Sequence, residues 1–224
     1  MNLTFEQRRR LLVNMLKEQK IIISSRVERA MLKVPREEFV WQGYAERAYD
    51  DSPLPLGDTG QTISAPHMVA LMLEEMELQQ EHSVLEIGTG SGYNIALIAE
   101  IVGNSARVIT VELDSRLAVF AKNNLQKTGY SDCVEVVNAD GSAGLPAGIA
   151  RQAYDRIAVT AACSVLPGIL KSQLKRNGIL LAPVGGPFAQ RLVKVRKDEE
   201  SRLTETSITW VSFVPLKQSY RYWN

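Results

Sequence analysis

The chain has 224 residues, enough for one α/β domain with an accessory segment and a sizeable core. Hydrophobic residues make up 45% and charged residues 23%, which excludes a disordered chain. Lys and Arg number 26 against 25 Asp and Glu, a formal charge of +1, and so the composition lacks the positive excess of a typical nucleic-acid binder.

Cys133 and Cys163 stand apart with no C-x-x-C spacing, and His67 and His82 are the only histidines. No metal site is expected from that set. The cysteines read as reduced thiols of a cytoplasmic protein. No apolar run approaches the ~20 residues that span a bilayer, and no signal-peptide core follows the first charges, so no membrane role is expected.

In chain order, Phe5–Lys20 places Leu11, Leu12, Met15 and Leu16 on one stripe of an amphipathic helix. Ser24 or Ser25 caps a second helix that runs to Val34 and stops at Pro35. Tyr49–Gly60, with Pro53, Pro55, Gly57 and Gly60, reads as loop. Ala65-Pro66 opens a third helix, with proline in its first turn. From Ser83 strands and helices alternate. Val84–Ile87, Arg107–Leu113, Val134–Asn138 and Arg156–Thr160 read as strands, and Asn94–Val102, Arg116–Lys127 and Leu166–Leu174 as helices. Ile179–Val184 follows an Asn177-Gly178 turn, and Leu192–Arg196 and Thr206–Phe213 form an antiparallel pair. This alternation predicts a doubly wound, mostly parallel α/β sheet with an antiparallel edge. The division is a single domain, with residues 1–80 a helical extension and 81–224 a cofactor-binding core.

Glu86-Ile87-Gly88-Thr89-Gly90-Ser91-Gly92 joins a predicted strand to a predicted helix. Glycines there permit a tight turn and close approach of a ligand to backbone N–H groups. Glu112, with Leu113 beside it, ends the next strand, where a carboxylate can accept ribose hydroxyls. Asp140-Gly141 ends the third strand, where a carboxylate and a backbone N–H suit adenine. The G-x-G-x-G spacing departs from the G-x-G-x-x-G of dinucleotide sites. Glu86, two places before the first glycine, disfavours a pyrophosphate and suits an ammonium. S-adenosylmethionine offers ammonium, carboxylate, ribose and adenine together, so a methyltransferase reading stands ahead of a dehydrogenase.

Asp51-Ser52-Pro53-Leu54-Pro55-Leu56-Gly57 precedes Gly60-Gln61-Thr62-Ile63-Ser64-Ala65-Pro66-His67-Met68. This is a rigid loop that delivers hydroxyls and amides to a helix start, a place suited to a carboxylate. Helix capping is the plainer physical reading of Thr62 and Ser64, and packing that of His67. These two segments, with E-I-G-T-G-S-G-Y downstream, resemble the protein-L-isoaspartate O-methyltransferases. The likeness extends through V-P-R-E-E-F-V (34–40), Asp140-Gly141-Ser142, Y-D-R-I-A-V-T-A-A (154–162), A-P-V-G (182–185) and F-V-P-L (213–216). Asn94 and Ile95 depart from many relatives, which carry Gln and then Thr or Ala there.

The resemblance implies a Rossmann-like, S-adenosylmethionine-dependent fold with seven strands. It implies methyl transfer to the free α-carboxylate of L-isoaspartyl residues in damaged proteins, followed by succinimide closure. It places Ser64 at the reacting carboxylate with Leu56, Thr62 and Ile63 as substrate neighbours. Ala65, Pro66, His67 and Met68 would border the cofactor, and Glu86, Gly88, Thr89, Gly90, Ser91, Gly92, Glu112, Leu113, Asp140 and Gly141 would hold it. Isoaspartyl proteins and peptides are the expected partners of a monomeric enzyme. Two other readings use the same motifs: a carboxyl methyltransferase for one dedicated peptide, and a cofactor-binding regulator without catalysis.

Overall fold

The computed structural model describes residues 3–145 and 153–217. The chain begins with helix α1 (Phe5–Glu18), closed by a capping box: Thr4 Oγ1 accepts the Gln7 N–H, and Gln7 Oε1 accepts that of Thr4. Its buried face is Leu12, Val13 and Leu16, whereas Leu11 is 56% exposed, so the apolar stripe sits one residue round from the predicted one. Helix α2 (Ser25–Lys33) is capped by Ser24, and two 3-10 turns, Arg36–Glu38 and Ala45–Arg47, follow.

Part of the predicted loop is ordered as a ribbon. Strand β1 (Leu54–Pro55) pairs antiparallel with β2 (Thr62–Ile63), and helix α3 (Pro66–Glu75) starts three residues beyond. The ribbon thereby fixes Ser64 between a strand end and a helix start.

The core alternates as predicted: β3 (Val84–Ile87), α4 (Tyr93–Val102), β4 (Val108–Glu112), α5 (Ser115–Thr128), β5 (Val134–Asn138), β6 (Tyr154–Val159), α6 (Gly168–Gln173), β7 (Leu174–Gly186), β8 (Ala189–Lys197) and β9 (Leu203–Val211). The strands form one sheet in the order β5-β4-β3-β6-β7-β8-β9. Strands β3 to β7 pair in parallel, and β8 is antiparallel to both of its neighbours. The chain therefore leaves β3 in one direction through β4 and β5, then returns to its other side at β6. That reversal opens a crevice at the carboxyl ends of β3 and β6.

Alternate strand residues face opposite layers. Val84 and Val108 join the core under α1 to α5, and Leu85, Ile87, Ile109 and Val111 join the one under α6. The N-terminal helices thus share a core with the parallel sheet.

Two expectations change in detail. Helix α6 ends at Gln173, and β7 begins at once with Leu174. Tyr154 pairs with Leu174 and Arg156 with Ile179, so residues 175–178 bulge from the strand, with Asn177 at φ +60°. Asn177-Gly178 is therefore a bulge within β7 and not a helix-to-strand turn. Of the residues beyond Leu216, only Lys217 is among those described.

Candidate active site

A crevice of about 270 Å³ opens at the strand reversal. One wall is the turn from β3 into α4, with Gly88, Thr89, Gly90 and Ser91. Glu112, Leu113 and Asp114 line the adjoining side, and Gly141 a third. Gln61, Thr62, Ile63 and Ser64 of the ribbon face these across the opening. Thus the glycine turn and the segment 61–64 border one space.

Local chemistry fixes each part. Gly88 has φ +98°, and a Cβ there would run into Thr160 Oγ1, which donates to the Gly88 carbonyl at 2.5 Å. Only glycine permits β3 to turn this close to β6. A Cβ on Gly141 would stand 2.7 Å from Ile87 Cγ2, so the absence of a side chain keeps that side open. Glu112 is 8% exposed, and its carboxylate accepts the Gly90 N–H at 2.8 Å and the Asp114 N–H at 3.0 Å. It still has lone pairs for hydroxyl donors.

Glu86 does not line the crevice. It is fully buried beneath it, accepting from Asn94 Nδ2 at 2.8 Å and from Thr110 Oγ1 at 2.6 Å. Thr89 Oγ1 lies 2.8 Å from Thr110 Oγ1. Since the Thr110 hydroxyl donates to Glu86, that of Thr89 donates to Thr110. Thr89 and Asn94 both line the crevice, so Glu86 works through them. Burial pushes its carboxyl up to about 7, against the opposing hydrogen bonds from Thr110 and Asn94 and with a further push from the Glu112 charge.

Several other predicted residues take supporting places. Asp140 Oδ1 accepts the Ser142 N–H at 2.9 Å and caps the 3-10 turn carrying Gly141. Gly92 is the left-handed N-cap of α4. Leu56 is fully buried behind Gly90, with Cδ1 3.5 Å from where a Gly90 Cβ would stand. Ala65, Pro66, His67 and Met68 lie outside the crevice lining. The turn of α3 directs them away: the Asp51 carboxylate accepts the His67 main-chain N–H at 2.8 Å and pairs with Nδ1 at 2.9 Å. Val69 and Met72, one and two turns on, face the crevice instead.

Ser64 and Thr62 are not caps. The N-cap of α3 is Ala65, which makes no side-chain cap hydrogen bond, and Asp51 supplies the missing acceptor. Ser64 Oγ makes no hydrogen bond to any described residue. The Ser64 carbonyl accepts Arg36 Nη2 at 2.8 Å.

Sequence reasoning missed the far wall, formed by Thr160 and Ala161 after β6 and by Val214 to Lys217 after β9. A bridge between Ala162 and Pro215 brings these segments together. The F-V-P-L match touched this stretch without indicating its position. Arg36, inside the V-P-R-E-E-F-V match, was likewise unassigned.

The reversal of strand order, the glycine turn and the strand-end carboxylate define a nucleoside-binding α/β protein of the methyltransferase class. The described residues contain no His, Cys, Asp and Glu cluster able to hold a metal, and no helix among them is long and apolar enough to cross a membrane. The family profile matching residues 7–221 is protein-L-isoaspartate(D-aspartate) O-methyltransferase, and the chain belongs to that family. It is 49% identical over 212 residues to a protein-L-isoaspartate O-methyltransferase of Methanopyrus kandleri, covering 95% of this chain and 92% of the relative. A Staphylothermus marinus protein of the same name is 48% identical over 222 residues, covering 96% of each. Among solved structures, a Plasmodium falciparum protein described as an enzyme of this name, in complex with S-adenosyl-L-homocysteine, superposes with a TM-score of 0.82. That pair is 26% identical, over 96% of this chain and 99% of the other.

Proposed function

We propose that the chain transfers a methyl group from S-adenosylmethionine to the free α-carboxylate of L-isoaspartyl residues in proteins. The carrying observation is Ser64: its hydroxyl, free of any described partner, borders the same crevice as the glycine turn and Glu112. The crevice fits the cofactor on its own chemistry. Asn94 Oδ1, on its wall, is a buried acceptor without a partner among the described residues, and Glu112 is a paired but unsaturated acceptor. When bound, the cofactor supplies a sulfonium-activated methyl electrophile.

In this reading Glu112 accepts the ribose hydroxyls, Gly88 to Ser91 present backbone to the amino-acid end, and Gly141 leaves room for the base. Thr89 and Asn94 carry the influence of Glu86 to the ammonium. Ser64 orients the substrate carboxylate by donating a hydrogen bond. The carboxylate is already ionised at neutral pH, with a reference pKa of about 3.5, so no general base is required. Rate comes from aligning oxygen, methyl carbon and sulfur and from excluding water as anion meets cation. The product ester closes to a succinimide when the following backbone nitrogen attacks its carbonyl carbon and methanol leaves, without further help from the enzyme.

Residues 1–80 would frame the substrate opening and residues 81–224 the cofactor core of one catalytic unit. The unpaired cysteines accord with a reducing compartment such as the cytoplasm and the near-neutral charge with a substrate other than nucleic acid; a monomer that acts on isoaspartyl proteins away from membranes completes the reading.

Labelled-methyl incorporation into matched peptides tests the reading. A peptide with L-isoaspartate should gain base-labile label, and its aspartyl twin should not. Equal labelling of the two, or none, would overturn it. A D-aspartyl peptide in the same series defines the second substrate class.

A further inference from the structure

Arg36 is a buried cation with no hydrogen-bonded acid among the described residues. Its side chain is fully buried. Nε donates to the Ala48 carbonyl at 2.8 Å and Nη2 to the Ser64 carbonyl at 2.8 Å. The guanidinium carbon stands 5.0 Å from the centre of the Tyr93 ring. Nη1 is buried and has no hydrogen-bond partner among the described residues.

The nearby carboxylates are engaged elsewhere. Glu37 takes Arg9 at 2.9 Å and the Tyr49 hydroxyl, Glu38 takes Lys127, and Asp51 takes His67. Among the described residues no carboxylate is hydrogen-bonded to Arg36. An ion left this way is expensive, and an apolar side chain of similar volume would meet the packing need alone. Two of the groups Arg36 touches, Ser64 and Tyr93, line the crevice.

We propose that Arg36 is a positioning residue for the anionic substrate: from behind the crevice wall it clamps Ser64 and supplies the positive field that draws the α-carboxylate to it. The inference rests on the carboxyl-methylation reading and deepens it. The placement is chemically apt. A forked arginine contact would occupy both carboxylate oxygens and would weaken as the nucleophile loses its charge. One layer back, the charge attracts the anion and leaves both oxygens open. Because Arg36 is fully buried, the attraction is less screened than at a surface. Asp51 faces the same guanidinium and offsets part of its charge, while Arg9 and Glu37 cancel each other.

Arg36→Lys and Arg36→Gln test this. The first keeps charge and the second keeps only a neutral donor. The readouts are the dissociation constant of an isoaspartyl peptide from the enzyme–S-adenosylhomocysteine complex and that of S-adenosylhomocysteine itself. The glutamine variant should bind peptide about tenfold or more weakly, with S-adenosylhomocysteine affinity held within about twofold, and the lysine variant should recover most of the peptide affinity. Unchanged peptide affinity in Arg36→Gln, or equal losses in both variants for both ligands, would overturn the proposal and leave a structural clamp.

If neither variant folds, the ¹⁵N guanidinium resonance of Arg36 in the unaltered protein decides. It should shift when isoaspartyl peptide joins the S-adenosylhomocysteine complex, and should not with an analogue bearing a carboxamide for the α-carboxylate. Equal shifts would overturn the proposal. Failure of the unaltered enzyme to methylate isoaspartyl peptide would remove the functional reading itself, whereas normal methylation with unmoved variants would remove only the role of Arg36.

Discussion

The Glu112 carboxylate joins two structural starts: Oε2 accepts the Gly90 N–H at 2.8 Å and Oε1 the Asp114 N–H at 3.0 Å. It therefore shapes the glycine turn before any ligand arrives and holds the entry of α5. A residue read from sequence as a ligand contact is also a strut.

Glu112→Ala should accordingly lose about 1–3 kcal/mol of S-adenosylmethionine affinity, as expected for charge-assisted hydrogen bonds. The ligand-free protein should also melt at lower temperature, because two backbone N–H groups lose their acceptor. Titration calorimetry paired with a melt checks both. Unchanged affinity would remove Glu112 from the cofactor site.

Glu86 gives the protein a pH-dependent stability. Its folded carboxyl titrates near 7 against an ordinary value of 4.5. The native state therefore binds more protons than the unfolded state between these values. Its contribution is full below about pH 4.5, falls as pH rises, and is lost above about pH 7. A shift of this size corresponds to roughly 3 kcal/mol. Glu86→Gln should flatten the slope of stability between pH 5 and 7 (about the window set by the two titrations). An equally steep slope in the variant would show that another group is responsible.

Ser64→Ala should lower turnover on isoaspartyl peptide about tenfold, near 1.4 kcal/mol, which one orienting hydrogen bond can supply. Because Asp51 does the capping of α3, the melting temperature should stay level. A fall in stability equal to the loss in activity would return Ser64 to a structural role.

Gly141→Ala places a methyl group 2.7 Å from Ile87 Cγ2 and 3.3 Å from Val111 Cγ1. Overpacking of that kind costs about 1–3 kcal/mol. S-adenosylhomocysteine affinity should fall while the loop around Ser64 is undisturbed, and a crystal structure of the variant would locate the displaced side chain. Full affinity would show that the ligand does not use this side of the crevice.

Local pattern was enough where physics is local. Val84–Ile87 and Val134–Asn138 match the observed strands residue for residue, since short β-branched or apolar runs bounded by turns leave little choice. The glycine turn and Glu112 were readable because strand ends in this topology share one edge. Periodicity places Glu86 in β3 two residues before the glycine turn, which reads as a ligand contact; only the fold shows Thr110 and Asn94 donating to its two oxygens. The rotation of His67 away from the crevice depends on Asp51, sixteen residues earlier in sequence. Val214 to Lys217 reach the site because β9 runs parallel to β7 and delivers its end to the same edge, a fact of strand pairing that no nearby residue encodes.

The bulge in β7 gives the protein a lifespan set by its own sheet. Asn-Gly is the dipeptide whose cyclisation generates isoaspartate most readily, and here it is Asn177-Gly178, beside β6 and β8. Gly178 is enclosed: a single added carbon would meet the Lys175 carbonyl at 2.7 Å and the Leu174 side chain at 2.8 Å. Closing the five-membered ring needs the Gly178 nitrogen to reach the carbonyl carbon of the exposed Asn177 side chain with loss of ammonia, a backbone movement that the pairing of Ile179 with Arg156 and Arg196 restrains. Ageing at this position is thereby coupled to separation of β7 from its neighbours. Copies that open there most often should acquire the lesion first, and under the proposed function an intact copy would treat them as it would any other damaged chain.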